Sequence, residues 1–340
     1  MSTPQSLANA KGERLAISLG DPAGIGAEVV LKALAAWPPQ QPAPLLVGCR
    51  RWLEQCYTQL RPLSPTPLAD PANLELIDLP LPEAIRPGEA GAASGAASFL
   101  WLSEAVAQVQ AGRCNALVTA PIAKHAWHAA GHRYPGQTER LAELAGVAEA
   151  SMLFTARSPR SGWRLNTLLA TTHIPLAAVP GALTAERVQR KLDVLASFCQ
   201  RFRPRPKLVV AGLNPHAGEA GQLGREEQDT LIPALEAWQQ RNPQMQLVGP
   251  LPPDTCWLDA GRAWAGEADA ADGYLALYHD QGLIPVKLLG FDQAVNTSLG
   301  LPFLRTSPDH GTGFAIAGQG IARAESMQAA MAAAQELSRA

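Results

Sequence analysis

Short apolar runs alternate with longer amphipathic stretches along the chain. The runs "RLAISL", "APLLVG", "NALVTA", "NTLLATT", "KLVVAG" and "GYLALY" are apolar almost throughout and bounded by turn residues, the pattern of strands buried on both faces. Between them, "GAEVVLKALAAW", "SFLWLSEAVAQVQ", "TAERVQRKLDVLASFCQRF" and "REEQDTLIPALEAWQQ" place apolar residues at three- and four-residue spacing, which predicts covering helices. The alanine-rich "ESMQAAMAAAQEL" predicts a last one. Strands alternating with helices predict an α/β fold with a largely parallel sheet. The proline-rich stretches at 37–44 and 62–72 read as surface connections, and no internal repeat interrupts the pattern.

At 340 residues and 47% hydrophobic, the chain can bury a core large enough for two domains. Its formal charge of −2, without a stripe of Lys and Arg, argues against a nucleic-acid surface and for small-molecule chemistry. Cys49, Cys56, Cys114, Cys199 and Cys256 are scattered and form no C-x-x-C pair, so neither a disulfide framework nor a thiolate zinc site is expected. The amino terminus lacks the apolar core of a signal peptide, and no run of about 18 apolar residues occurs. The expectation is a cytoplasmic protein without a membrane or nucleic-acid partner.

Seven histidines are available for chemistry, and three share one placement. His173 in "LLATTHIP", His216 in "LVVAGLNPH" and His279 in "LALYHDQ" each follow a predicted strand, at the edge where open α/β sheets bind ligands. They are too far apart for a local metal motif but suit separate strands or separate subunits. Three imidazoles with an open fourth position are a recurring way to hold a catalytic divalent metal; each alone also fits a hydrogen-bonded loop residue. His125, His128, His132 and His310 lack the pattern, and the first three, in "KHAWHAAGH", read as a solvated helix face.

The turn "SLGDPAGIGAEVV" follows a strand and opens a helix, so its backbone N–H groups could face a ligand. As a dinucleotide fingerprint it fails: Val29 stands where a third glycine belongs, and no acidic residue ends a second strand at the usual distance. A tight strand-to-helix turn is the equal alternative. Further on, Lys287, Asn296 and Arg305 gather in a segment otherwise poor in charge; an ammonium, an amide and a planar guanidinium suit a phosphate dianion.

Taken together, "GDPAGIGAEV", "VTAPIAK", "GQTE", "TTHIPL", "GLNPHAGE", "GREE", "GPLPPDT", "YHDQGLIPVK" and "VNTSLGLPFLRTSPDHGT" resemble, in order and over nearly the full length, the PdxA family of 4-hydroxythreonine-4-phosphate dehydrogenases of vitamin B6 synthesis. The first and last stretches echo the wider isocitrate and isopropylmalate dehydrogenase superfamily. The resemblance implies a two-lobed α/β/α fold with a central cleft, not a Rossmann fold. It places residues 1–135 with 295–340 in a cofactor-side lobe and 136–294 in a metal, substrate and dimer lobe. It implies a homodimer whose sites use residues of both chains.

Carried over residue by residue, the resemblance makes His173, His216 and His279 ligands of one divalent ion, with one of them supplied by the second subunit. Zinc, magnesium, manganese and cobalt all remain open. Gln137, Thr138, Lys287, Asn296 and Arg305 would hold the phosphorylated substrate; His310, Gly311 and Thr312 would face NAD or NADP; Asp280, Asp254 and Lys124 would orient groups or transfer protons. The implied reaction is metal-dependent oxidation of 4-phosphooxy-L-threonine, then decarboxylation to 3-amino-2-oxopropyl phosphate.

Two departures stand out. Gln137 replaces the family's histidine in G-H-T-E and cannot act as an acid or base; Ala27 stands where proline is common, a minor change. Gln137 keeps open relatives that act on threonate or erythronate 4-phosphate or on an aromatic dihydrodiol. A metal-dependent hydrolase or lyase without nicotinamide is the remote alternative.

Overall fold

The computed structural model describes residues 14–339, which divide into two compact units. The chain begins in the first with β1 (Leu15–Ser18), α1 (Gly26–Ala35), β2 (Leu45–Gly48), α2 (Arg50–Leu60), β3 (Leu76–Asp78), α3 (Ala92–Gln110), β4 (Ala116–Thr119), α4 (Lys124–Ala129) and α5 (Gln137–Ala145). Residues 151–300 form the second unit: β5 (Ser151–Arg157), β6 (Arg164–Leu169), α6 (Val179–Ala182), α7 (Ala185–Gln200), β7 (Lys207–Ala211), α8 (Ile232–Arg241), β8 (Gln246–Leu251), α9 (Leu258–Ala265), β9 (Gly273–Ala276), α10 (His279–Gly290) and β10 (Val295–Leu299). The chain then returns to the first unit with β11 (Leu304–Pro308) and α11 (Glu325–Leu337). These units leave Gln137 and Thr138 in the first and Asn296 in the second.

In the first unit the strand order is β3-β2-β1-β4-β11, every pair parallel. In the second, β10 and β5 pair antiparallel, as do β5 and β6, and the order continues parallel through β9, β7 and β8. Strands such as β2, β4 and β9 are buried at every residue, which is why they read as unbroken apolar runs. α7 starts where the Thr184 hydroxyl accepts the Arg187 N–H at 3.2 Å, and α5 stops at Gly146, whose left-handed φ of 67° ends the helix. The second unit's core gathers Phe154, Leu165, Tyr274 and Val286, with Trp257 stacked on Tyr274 at 5.0 Å.

All six predicted strands and the five predicted helices are present. The pattern did not reveal β3, β5, β8, β10 and β11. β3 is three residues long, and β10 and β11 each carry three consecutive polar residues in a segment read for its ligand chemistry. No helix among the described residues is long and apolar enough to cross a membrane.

Candidate active site

In the second unit, β6, β9 and β7 are adjacent and parallel, so their carboxyl ends share one edge. His173 follows β6, His279 follows β9 and His216 follows β7, while Asp254 follows the neighbouring β8. The parallel strands thus bring to one edge three histidines that are remote in sequence, with Asp254 on the next strand along.

His279 is the first residue of α10, not a loop residue beyond a strand end, with Tyr278 as the helix cap. α10 starts there because Gly282 allows its first turn to press on the sheet: a Cβ at Gly282 would lie 2.6 Å from a Leu169 methyl and 3.0 Å from the Ala276 Cβ. The His279 and His173 rings lie 5.5 Å apart between centroids. His279 Nδ1 contacts Asp280 Oδ1 at 2.7 Å, which fixes the ring and leaves Nε2 for a ligand.

His216 sits in an unusual loop. From His216 to Ala220 every residue has positive φ, between 44° and 84°, and only Gly218 among them is glycine. The fully buried Glu227 carboxylate holds this loop, accepting the backbone N–H groups of Leu213 and Asn214 at 2.7 Å each and the Asn214 amide at 2.9 Å. Among the described residues of one chain, no three His, Cys, Asp or Glu side chains gather into a group that could hold a metal. His173 and His279, one with a carboxylate behind it, are two paired imidazoles that could hold a divalent ion only with further ligands from elsewhere.

The first unit carries a second constellation. Arg305 on β11 is 3% exposed, and its guanidinium donates to Thr119 Oγ1 on β4 at 2.6 and 3.0 Å and to Gln137 Oε1 at 3.2 Å. Burial lowers its pKa to about 10, which leaves it charged at neutral pH. Gln137 and Thr138 form the first turn of α5, whose free N–H groups favour an anion. Gln137 also donates to the Ala120 carbonyl at 3.2 Å, so its amide bridges Arg305 and the backbone after β4. A Cβ at Gly136 would lie 3.5 Å from Lys124 Cε, which puts the exposed Lys124 beside the same helix start.

The other expected residues are placed less closely. Lys287 Nζ lies 5.7 Å from the centre of the Phe291 ring, and Asn296 on β10 has a buried Oδ1 without a hydrogen-bond partner. His310 Nδ1 contacts the Gly311 carbonyl at 2.9 Å, while its Nε2 is buried and unpartnered. The Thr312 carbonyl accepts the Ile25 N–H at 2.9 Å, and a Cβ at Gly24 would come within 2.7 Å of that oxygen. Gly24 therefore serves close packing of the first turn against the 310–314 loop, the tight-turn alternative for "GDPAGIG". Asp254 is exposed.

The sequence pattern passed over Asp21, which is fully buried, accepts the Ala23 N–H at 2.9 Å and the Ser94 hydroxyl at 3.3 Å, and has its pKa raised by burial. It also passed over Thr119, whose only signal was its place in "VTAPIAK". His132 corrects the solvated-face reading: it stacks on Phe99 at 3.6 Å, and burial, with Arg140 nearby, lowers its pKa. His125 and His128 are exposed on α4 as expected.

A family model described as pyridoxal phosphate biosynthetic protein PdxA matches residues 40–334. A 4-hydroxythreonine-4-phosphate dehydrogenase from Synechococcus sp. (strain RCC307) is 68% identical over 95% of this chain and 99% of its own. A D-threonate 4-phosphate dehydrogenase from Pectobacterium atrosepticum is 38% identical over 95% and 98%. The crystal structure of 4-hydroxythreonine-4-phosphate dehydrogenase from Klebsiella pneumoniae superposes with a TM-score of 0.81 at 37% identity, covering 98% of this chain and 100% of that one. With this shared fold and near full-length similarity, the chain belongs to the PdxA family of pyridoxal phosphate biosynthetic proteins.

Proposed function

We propose that this protein is an NAD(P)- and divalent-metal-dependent dehydrogenase that oxidises 4-phosphooxy-L-threonine to 2-amino-3-oxo-4-phosphooxybutanoate, which loses carbon dioxide to give 3-amino-2-oxopropyl phosphate. The observation that carries the reading is the His173–His279 pair with Asp280 on His279 Nδ1, at the carboxyl edge of the sheet. When bound, the metal supplies Lewis acidity to the substrate alcohol and the nicotinamide accepts the hydride.

The chain's own residues do the rest. Asp280 holds His279 in the tautomer that presents Nε2. Arg305, charged and buried, binds the phosphate together with the first turn of α5, Thr138 and Gln137, and this remote anchor orients the reacting carbon. Lys287 and Asn296 hold further polar groups of the substrate, Asn296 through its unpartnered Oδ1. Lys124 and Asp254 are the candidates to take and return the alcohol proton, and His310, Gly311 and Thr312 are assigned to the nicotinamide cofactor.

The metal set is completed across a homodimer, with His216 as the ligand that joins His173 and His279. Two observations support this. No third ligand gathers with the pair among the described residues of one chain. Ile284, Leu288 and Phe291 also form an exposed apolar stripe on and just beyond α10, the helix that begins with His279. The five free cysteines suit a cytoplasmic enzyme.

A second reading, oxidation of threonate or erythronate 4-phosphate, is favoured by Gln137: its amide is committed to Arg305 and the Ala120 carbonyl and offers no proton chemistry. Reduction of NAD and NADP with each phosphorylated substrate, with and without chelator, decides between them. Metal-dependent turnover of the amino substrate supports the first reading. Turnover of only the acid-sugar phosphates supports the second, and no cofactor reduction with any of them refutes both.

A further inference from the structure

We infer that Gln281 and Thr171 are positioning residues that lock the three histidine loops to one another through the peptide groups of a single residue, Leu277. The inference rests on the metal reading above and adds what holds the ligands in place.

Leu277 is fully buried, two residues before His279. Its N–H donates to Gln281 Oε1 at 2.7 Å, and its carbonyl accepts the Thr171 hydroxyl at 2.7 Å. Thr171 lies two residues before His173. The other end of the Gln281 amide, Nε2, donates at 2.7 Å to the carbonyl of Gly212, where the chain leaves β7 toward His216. The Gly212 N–H in turn donates to the Leu251 carbonyl at 2.7 Å, at the end of β8 on the way to Asp254. Two side chains thus tie the segments carrying His173, His279 and His216, and a backbone hydrogen bond adds the segment leading to Asp254.

The chemistry explains the residue types. The Gln281 position needs an acceptor and a donor on one side chain, 6% exposed, to satisfy an N–H and a carbonyl that no strand pairs. Leucine supplies neither, and glutamate supplies no donor when ionised. At Thr171, 2% exposed, only a hydroxyl reaches the Leu277 carbonyl, so serine can replace threonine and valine cannot. Neither Gln281 nor Thr171 is itself proposed as a ligand. Groups that orient metal-binding histidines from behind change metal affinity by roughly 10–100-fold when removed.

The test uses the full-length protein, stripped by chelation and titrated with Co2+ or Zn2+. Gln281→Leu and Thr171→Val are expected to weaken metal binding by about 10–100-fold, and Thr171→Ser to restore it. His173→Ala and His279→Ala serve as reference losses. Hydrogen exchange in the metal-free protein gives a readout independent of metal and turnover. The segment 273–283 should lose protection in Gln281→Leu and Thr171→Val and regain it in Thr171→Ser.

Wild-type metal affinity in Gln281→Leu and Thr171→Val, with loss in the histidine variants, overturns the lock alone. Retained binding in every variant, histidines included, overturns the metal reading and the lock with it. A lowered melting temperature with unchanged affinity assigns Gln281 and Thr171 to stability only, which also overturns the inference. If Gln281→Leu does not fold, the comparison of valine with serine at 171 decides.

Discussion

Replacing Glu227 by glutamine tests how the protein sustains the loop that carries His216. Four non-glycine residues of this loop, His216, Ala217, Glu219 and Ala220, occupy the left-handed region. At about 1–2 kcal/mol each, their cost comes to roughly 4–8 kcal/mol. Glu227 offsets it with three charge-assisted hydrogen bonds of 2.7, 2.7 and 2.9 Å, at about 1.5–3 kcal/mol apiece, or roughly 5–9 kcal/mol. The two sums are close, so the loop is held by a narrow margin. Glutamine keeps the shape but loses the charge and turns an NH2 toward a group that donates. The expected loss is about 2–4 kcal/mol, read by urea denaturation at pH 7 and by new protease sensitivity within 212–228.

The same group predicts a pH limb. Burial pushes the Glu227 carboxyl up, but the Asn214 N–H, the Asn214 amide and the Leu213 N–H together outweigh it, and the net pKa is lowered from the ordinary 4.5. Its contribution to stability is therefore full above pH 4.5 and is lost as pH falls through the lower folded value. Glu227→Gln should remove this part of the acid dependence. Equal stability of the two proteins at pH 7, with an unchanged proteolytic pattern, would refute the buttress.

Three further outcomes are expected. Arg305→Met should raise the Michaelis constant for a phosphorylated substrate by about 10–100-fold, the equivalent of one or two charge-assisted hydrogen bonds; an unchanged constant in a folded variant removes Arg305 from phosphate binding. Asp280→Asn should lower metal affinity by about tenfold, the small end of such effects, because the carboxylate is 74% exposed; metal content after dialysis measures it. Gly24→Ala should cost about 1–3 kcal/mol through overpacking, since its Cβ would sit 2.7 Å from the Thr312 carbonyl; an undiminished melting temperature shows that the turn can yield.

The sequence by itself determined the layer pattern and the chemical inventory. Strands buried on both faces must be apolar throughout, so β1, β2, β4, β6, β7 and β9 were legible, and each of the three histidines announced itself by following one of them. Nearly full-length motif order was enough to name the family. Strands that are largely polar, or that run three residues, carried no such signature, and β3, β10 and β11 stayed hidden for that reason.

What only the tertiary structure decided was adjacency. Nothing in the chain order states that β9 lies between β6 and β7, and it is that order which sets His173 beside His279. Arg305 meets Thr119 because β11 pairs with β4, and Gln137 meets Arg305 through the fold of α5; these contacts span 186 and 168 residues. Gln281 and Glu227 look like ordinary polar residues in sequence. Their roles come from burial, because an amide or carboxylate removed from water must find partners, and only the folded chain supplies the Gly212 carbonyl and the Leu213 and Asn214 N–H groups at the right distance.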